Sequence, residues 1–144
     1  MKMFLYNADG YLRPLYDEDA LEKQKLKRGQ VYEADIREAR NLQFHRKFFS
    51  LIRLSFEYLP EKQREGFHED PENWRKYVTV LAGHVDMFYS PDLRMWLQIP
   101  KSIAFDKMDE AAFKDFYDRC YTEIYKIISP FVSEEEFESV LANY

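Results

Sequence analysis

The sequence is poor in the residues that punctuate, staple or anchor a chain. Four Gly and six Pro in 144 residues exclude collagen-like, low-complexity and linker-rich sequence. A single cysteine, Cys120, cannot form an internal disulfide, so the thiol count gives no reason to place the chain in an oxidising compartment. No apolar run reaches the ~18 residues of a membrane span, and the start MKMFLYNADG has no signal-peptide core. A soluble, cytoplasmic protein is expected. The scattered glycines form neither glycine-rich phosphate loop, and no serine sits in Gly-x-Ser-x-Gly.

What is abundant is apolar and charged. The chain is 46% hydrophobic, 17% aromatic and 33% charged. A chain of this length can hide roughly two-thirds of its unfolded surface, enough for one core without staples. Residues 1–144 are therefore read as one domain. The net charge of −5 argues against a general nucleic-acid coat. Its distribution is uneven: residues 21–53 carry nine basic and four acidic side chains, whereas residues 106–144 carry four basic and ten acidic ones. Such asymmetry means either a basic face for an anionic partner or oppositely charged elements docked within the fold.

The opening reads as a hairpin, with strands at 3–6 and 11–15 around the turn Asn7-Ala-Asp-Gly10. Residues 17–27 read as a helix stopped by Gly29, and 31–36 as a third strand. The strongest periodicity lies at 42–58. Phe44, Phe48, Phe49, Leu51, Ile52, Phe56 and Leu59 form a broad apolar face, with Arg46, Ser50, Arg53 and Glu57 as a polar stripe opposite. Asn41 is the expected N-cap, accepting from a first-turn amide, and Pro60 marks the end. Residues 61–70 read as a polar loop, followed by a helix with Asp70 as cap and Pro71 in its first turn. A second hairpin follows, with strands at 84–89 and 94–99, and 102–105 as an edge strand. Asp109 caps a long helix carrying Phe113, Phe116, Tyr117, Cys120, Ile124 and Ile127. Pro130 separates it from a short C-terminal helix within 132–144, opened by the capping box Ser133-Glu-Glu-Glu136. The expected class is α+β, a mostly antiparallel sheet of two hairpins plus extra strands packed by two long amphipathic helices.

Three segments carry a resemblance: Arg40-Asn-Leu-Gln-Phe-His-Arg-Lys-Phe-Phe49, Val80-Leu-Ala-Gly83, and Lys101-Ser-Ile-Ala-Phe-Asp-Lys-Met108 ahead of Phe113 and Tyr117. Over roughly residues 1–128 the chain resembles a family of uncharacterised proteins from tailed phages and prophages. That family pairs an R-N-x-x-F-H-R-K-F-F helix start with a K-S-I-x-F strand. The resemblance implies a bacterial host cytoplasm and an early-region gene near replication, recombination and single-strand-binding functions. It implies no activity and no catalytic residues, and many relatives look longer than this chain.

The candidate anion site is the helix start and its stripe: Arg40, Arg46, Lys47 and Arg53, with Lys27 and Arg28 adding to it if the third strand returns beside the helix. Free amides and the positive dipole end favour phosphate there, and Phe44 or Tyr32 is available to stack on a base. The structural alternative is a solvated face whose arginines pair with Glu38, Glu57 or the acidic C-terminal helix. His45 falls in step with Phe49, Ile52 and Phe56 and reads as a core-edge histidine rather than an acid–base catalyst. His84 and Asp86 share a strand face, as a carboxylate-oriented imidazole would, but no third ligand stands at a metal-binding spacing. Pro91-Asp92 followed by Lys101 fails the metal-nuclease pattern because Ile99 stands where its acid belongs. Cys120 reads as a packing residue. No enzyme, metal or cofactor is expected. The alternative to DNA engagement is a small acidic inhibitor that binds a host nuclease or defence protein, with Trp96, Tyr89, Glu134 and Glu135 as contact residues.

Overall fold

The computed structural model describes residues 1–39 and 41–144, and of Asp106 only the backbone. The class is α+β. Among the described residues the chain forms six α-helices and four strands, the strands paired as two separate antiparallel ribbons. Two compact units emerge, residues 1–39 and 40–144.

In the first unit, β1 (Leu5–Ala8) and β2 (Tyr11–Pro14) pair antiparallel with Ala8 opposite Tyr11. Asp9 and Gly10 both take positive φ, 52° and 86°, which gives the two-residue turn that Asp-Gly favours. The turn is tied by the Gly10 amide donating to Asn7 Oδ1 at 3.0 Å. Helix α1 (Asp17–Gln24) is held to the ribbon by Asp19. Its buried carboxylate accepts from the amides of Phe4 (2.8 Å) and Tyr16 (3.1 Å), two charge-assisted bonds that offset its desolvation. The third strand expected at 31–36 does not form. Val31 is 98% exposed and Ile36 is exposed, because nothing among the described residues offers them a ladder or an apolar surface.

The second unit is built on α2 (Leu42–Glu57). Helix α3 (Glu61–Gly66) forms where a loop was expected: the polar run 61–66 has good helix formers, and Pro60 directly precedes it. Helix α4 (Pro71–Leu81) starts as expected, with Asp70 Oδ1 accepting from the Glu72 amide at 2.9 Å. Gly83 then turns the chain at φ 81° into β3 (Val85–Ser90), which pairs with β4 (Met95–Pro100). The edge strand expected at 102–105 is absent; the chain instead enters a 3₁₀ turn, Phe105–Lys107, which drives Phe105 into the core. Helix α5 (Glu110–Ile128) is capped by Asp109 Oδ1 on the Ala112 amide (2.7 Å), and α6 (Glu134–Ala142) by Ser133 Oγ on the Glu136 amide (3.2 Å).

Helices α4, α5 and α6 all pack on α2. Phe48 is fully buried among Phe105, Phe116 and Phe49, and Phe44 stacks on Phe113 with centroids 4.3 Å apart. Each such ring contributes about 1.5–3 kcal/mol by leaving water. Leu54 and Ser55 are buried as well, so the apolar arc of α2 is wider than its strict helical pattern. Ser55 is tolerated there because its Oγ donates to the Ile52 carbonyl and accepts from Trp74 Nε1–H at 2.9 Å. Arg119 of α5 donates to the Ala82 carbonyl at 3.0 Å, placing a cation at the C-terminal end of α4.

Ser55→Ala strands the indole N–H of Trp74 in the core. Urea unfolding is expected to show a loss of about 1–3 kcal/mol, and Ser55→Thr a smaller one if the hydroxyl keeps its place. Cys120 is fully buried on α5, and burial pushes its thiol up to about 12. The folded protein therefore keeps this thiol protonated while the unfolded chain ionises near about 8.5, so stability falls as pH rises above that value. Ellman's reagent at mildly alkaline pH is expected to titrate Cys120 at the rate of global unfolding. Instant reaction in native buffer would contradict the burial.

Candidate nucleic-acid interface

Asn41 precedes α2, but not as the expected cap. Its backbone is left-handed, φ 54°, a conformation asparagine tolerates better than most residues. That turn swings the amide away from the helix. Nδ2 donates to the carbonyls of Phe105 (2.8 Å) and Met108 (2.9 Å), so the side chain ties α2 to the 3₁₀ turn. Among the described residues no side chain caps α2, and its first turn holds no acid. Helices α4, α5 and α6 each have a capping side chain and at least one first-turn carboxylate. Among the described residues the positive end of α2 thus lacks the anionic complement that those three have.

One turn into α2 lie Arg46 and Lys47, both exposed. Among the described residues no carboxylate comes within ion-pair distance of Arg46. Lys47 Nζ sits over the ring of Tyr117, 4.6 Å from its centroid. Tyr117 is buried, and its hydroxyl is pushed up to about 12, first by burial and then by the nearby charge of Asp118, so the ring remains a neutral platform for the ammonium. Lys47 and Tyr117 line a 350 Å³ cleft with Gln43, Phe44, Phe113 and Lys114; Glu110 and Asp118 also line it. Lys114 is paired with Asp118 across one helical turn.

Arg53 is half-buried, two turns or about 10 Å further along α2. There the Tyr144 hydroxyl donates to Glu57 Oε1 at 3.1 Å; burial and then Glu57 push that phenol above its ordinary value, and the Arg53 cation partly offsets them. Lys27 and Arg28 are exposed but belong to the unit of residues 1–39. Arg40 lies outside the described residues. Phe44 cannot stack on a base, because Phe113 already covers its face. Tyr32 is exposed, and its hydroxyl accepts from the Lys27 amide at 3.0 Å.

His45 packs in the core, stacked on Phe49 at 4.5 Å and edge-on to Phe105 at 5.4 Å. The His84–Asp86 pairing does not form. The His84 ring packs on Phe116 with Nε2 3.4 Å from the Ser102 carbonyl, while Asp86 faces Lys101 Nζ at 3.7 Å. Among the described residues no three His, Cys, Asp or Glu side chains converge as metal ligands. Tyr89 and Trp96 meet edge to face at 5.6 Å on the hairpin, both about half exposed. Glu134 and Glu135 are exposed in the first turn of α6, where the dipole favours them; Glu134 and Glu138 both accept from the Tyr121 hydroxyl. Asn41 as a tether and Tyr117 as the platform under Lys47 were not anticipated from sequence. The only signal was asparagine's tolerance of positive φ.

No helix among the described residues is long and apolar enough to cross a membrane. No curated protein and no solved structure matches the chain. A family model does, over residues 2–66 and 62–144, which together span nearly the whole chain. The chain belongs to DUF1367, a family of proteins of unknown function.

Proposed function

We propose that the protein is a non-enzymatic phage accessory protein that engages DNA, or a complex working on DNA, through the first half of α2. The observation that carries this reading is the acid-free first turn of α2, which no side chain among the described residues caps, with the exposed Arg46, unpaired among those residues, one turn on. Backbone amides at a helix start bind phosphate oxygens, and a guanidinium beside them makes the contact bidentate. Such contacts fix position on a backbone and carry no sequence information. Lys47 supplies a second cation, already oriented by Tyr117. With few phosphate contacts and a net charge of −5, binding is weak, and its salt dependence is shallow, set by the few cations engaged.

Fluorescence anisotropy with labelled single-stranded and duplex oligonucleotides tests this. Affinity is expected to fall between about 50 and about 200 mM salt, and Arg46→Gln to reduce the slope of log K against log salt by about one. Adding Lys47→Gln should reduce it further, whereas Lys62→Gln on α3 should leave it unchanged. A slope indifferent to Arg46 and Lys47 would remove α2 from the binding mechanism.

A second reading, the protein-binding inhibitor of a host nuclease or defence complex, is favoured by the exposed Tyr89–Trp96 pair. Aromatic anchors of this kind dominate protein interfaces. In that case Trp96→Ala abolishes recovery of the host protein from infected-cell extract, with nuclease present and oligonucleotide binding unaltered.

A further inference from the structure

The β3–β4 ribbon carries a surface that the α2 reading does not use. The Lys101 amide donates to the His84 carbonyl at 3.0 Å, making 84/101 a hydrogen-bonded row. Rows alternate along an antiparallel ladder, and the register sets Val85 opposite Pro100, Met87 opposite Gln98 and Tyr89 opposite Trp96. The peptide groups of Val85, Met87 and Tyr89 therefore point away from β4, out of the free edge of β3. Those of Trp96, Gln98 and Pro100 point out of the opposite edge.

The two edges are not equivalent. β4 lies against α4, and Pro100 presents no N–H on its side. β3 pairs with β4 alone among the described residues, and Asp86, Met87, Phe88 and Tyr89 are all exposed. Edge strands are ordinarily guarded by lysine, proline or a bulge. β3 contains no lysine or proline, and its one charge, Asp86, faces Lys101.

We infer that β3 pairs antiparallel with β3 of a second copy of this chain, joining two ribbons into one four-stranded sheet about a two-fold axis. The segment is complementary to itself. Centred on Met87, the pairing sets Met87 against Met87 and Val85 against Tyr89 of the second copy, so all three outward rows are bonded. Asp86 then lies beside Phe88 of the second copy. A shift of two residues toward the base of the ribbon would instead oppose Asp86 to Asp86, which like charge disfavours. Two chains of net charge −5 repel, but at this ribbon Asp86 is matched by Lys101, and the turn carries Asp92 and Arg94, one of each sign. The ribbon is thus locally neutral and adds no like-charge repulsion of its own. The joined sheet also sets Met87, Tyr89 and Trp96 on one face, and Phe88, Met95 and Ile99 on the other, beside their counterparts. Four strands with apolar faces are stable where an isolated ribbon is marginal. The contact is isologous and closes on itself, so it makes dimers and not fibres.

Sedimentation equilibrium of the full chain from micromolar to submillimolar concentration tests the pairing. The mass is expected to rise from one chain to two. Met87→Pro deletes an outward N–H of β3 and should hold the mass at one chain. Gln98→Pro makes the same deletion on the other edge and should leave the dimer intact. Should Met87→Pro lose its far-ultraviolet circular dichroism, hydrogen exchange on the unaltered chain decides: the Val85, Met87 and Tyr89 amides slow as concentration rises, and the Gln98 amide does not. A one-chain mass throughout, a dimer indifferent to Met87→Pro in a folded variant, or concentration-dependent protection at Gln98 instead of Met87 overturns the inference.

Discussion

Everything in the unit of residues 40–144 depends on how much of α2 is taken out of water. Phe44, Phe48, Leu51, Ile52, Leu54, Ser55 and Phe56 are all buried, which leaves only a narrow strip of the helix facing outward. Arg46 and Glu57 are exposed on that strip, and Ser50 and Arg53 are partly so. The position of the charges is thus a consequence of the packing. A guanidinium cannot turn into an aromatic cluster without shedding its hydration, and among the described residues no buried carboxylate is present to compensate it there. The aromatic rings fix the rotation of α2 about its axis, and that rotation alone decides which cations reach solvent.

The start of the same helix shows a second constraint. An asparagine can cap a helix through Oδ1 or bridge segments through Nδ2, and the left-handed backbone of Asn41 turns its amide to the bridge. Asn41 bridges, and its two bonds to Phe105 and Met108 hold the 3₁₀ turn against α2 while Phe105 fills the space beside Phe48. No side chain among the described residues bonds the orphan amides of α2, which suits them to solvent or an incoming anion. The cations that follow at Arg46 and Lys47 are less favourable near a positive dipole end than the carboxylates that open α4, α5 and α6. A local arrangement that costs stability and is confined to one helix fits a role in binding better than one in folding.

Helices with strong periodicity and a cap were legible from sequence: α4, α5 and α6 start where Asp70, Asp109 and Ser133 place them. Both hairpins were legible too, because turn chemistry is local. The expected strands and the expected histidine–carboxylate pair fail as questions of partners. Residues 31–36 alternate like a strand, yet a strand exists only if something pairs with it, and Val31 meets solvent. The run 102–105 ends in Phe105, whose burial against α2 and α5 outweighs ladder bonds. His84 and Asp86 stand two apart, yet one turns to Phe116 and the other to Lys101. Of the cations expected in the patch, Arg46, Lys47 and Arg53 stand along about two turns of α2, and Lys27 and Arg28 are exposed in the unit of residues 1–39.

The two ribbons show what holds a hairpin when no larger sheet receives it. The β1–β2 pair is short and is fastened by Asp19, whose carboxylate bonds amides on either side of the ribbon. The β3–β4 pair is longer; β4 lies against α4, and at the base of the ribbon His84 packs on Phe116 while its carbonyl accepts from Lys101. Toward the tip the rows depend on cross-strand contacts such as Tyr89 with Trp96, worth about 0.2–1 kcal/mol each. That is little to set against ordering twelve strand residues at about 1–2 kcal/mol apiece, even with their ladder bonds. Exposed Met87, Phe88, Met95, Trp96 and Ile99 give such a ribbon apolar surface that the monomer leaves in water. Soluble chains ordinarily select against that arrangement, because it exposes both an apolar patch and an open edge. Its stability is therefore best understood as shared with whatever covers it.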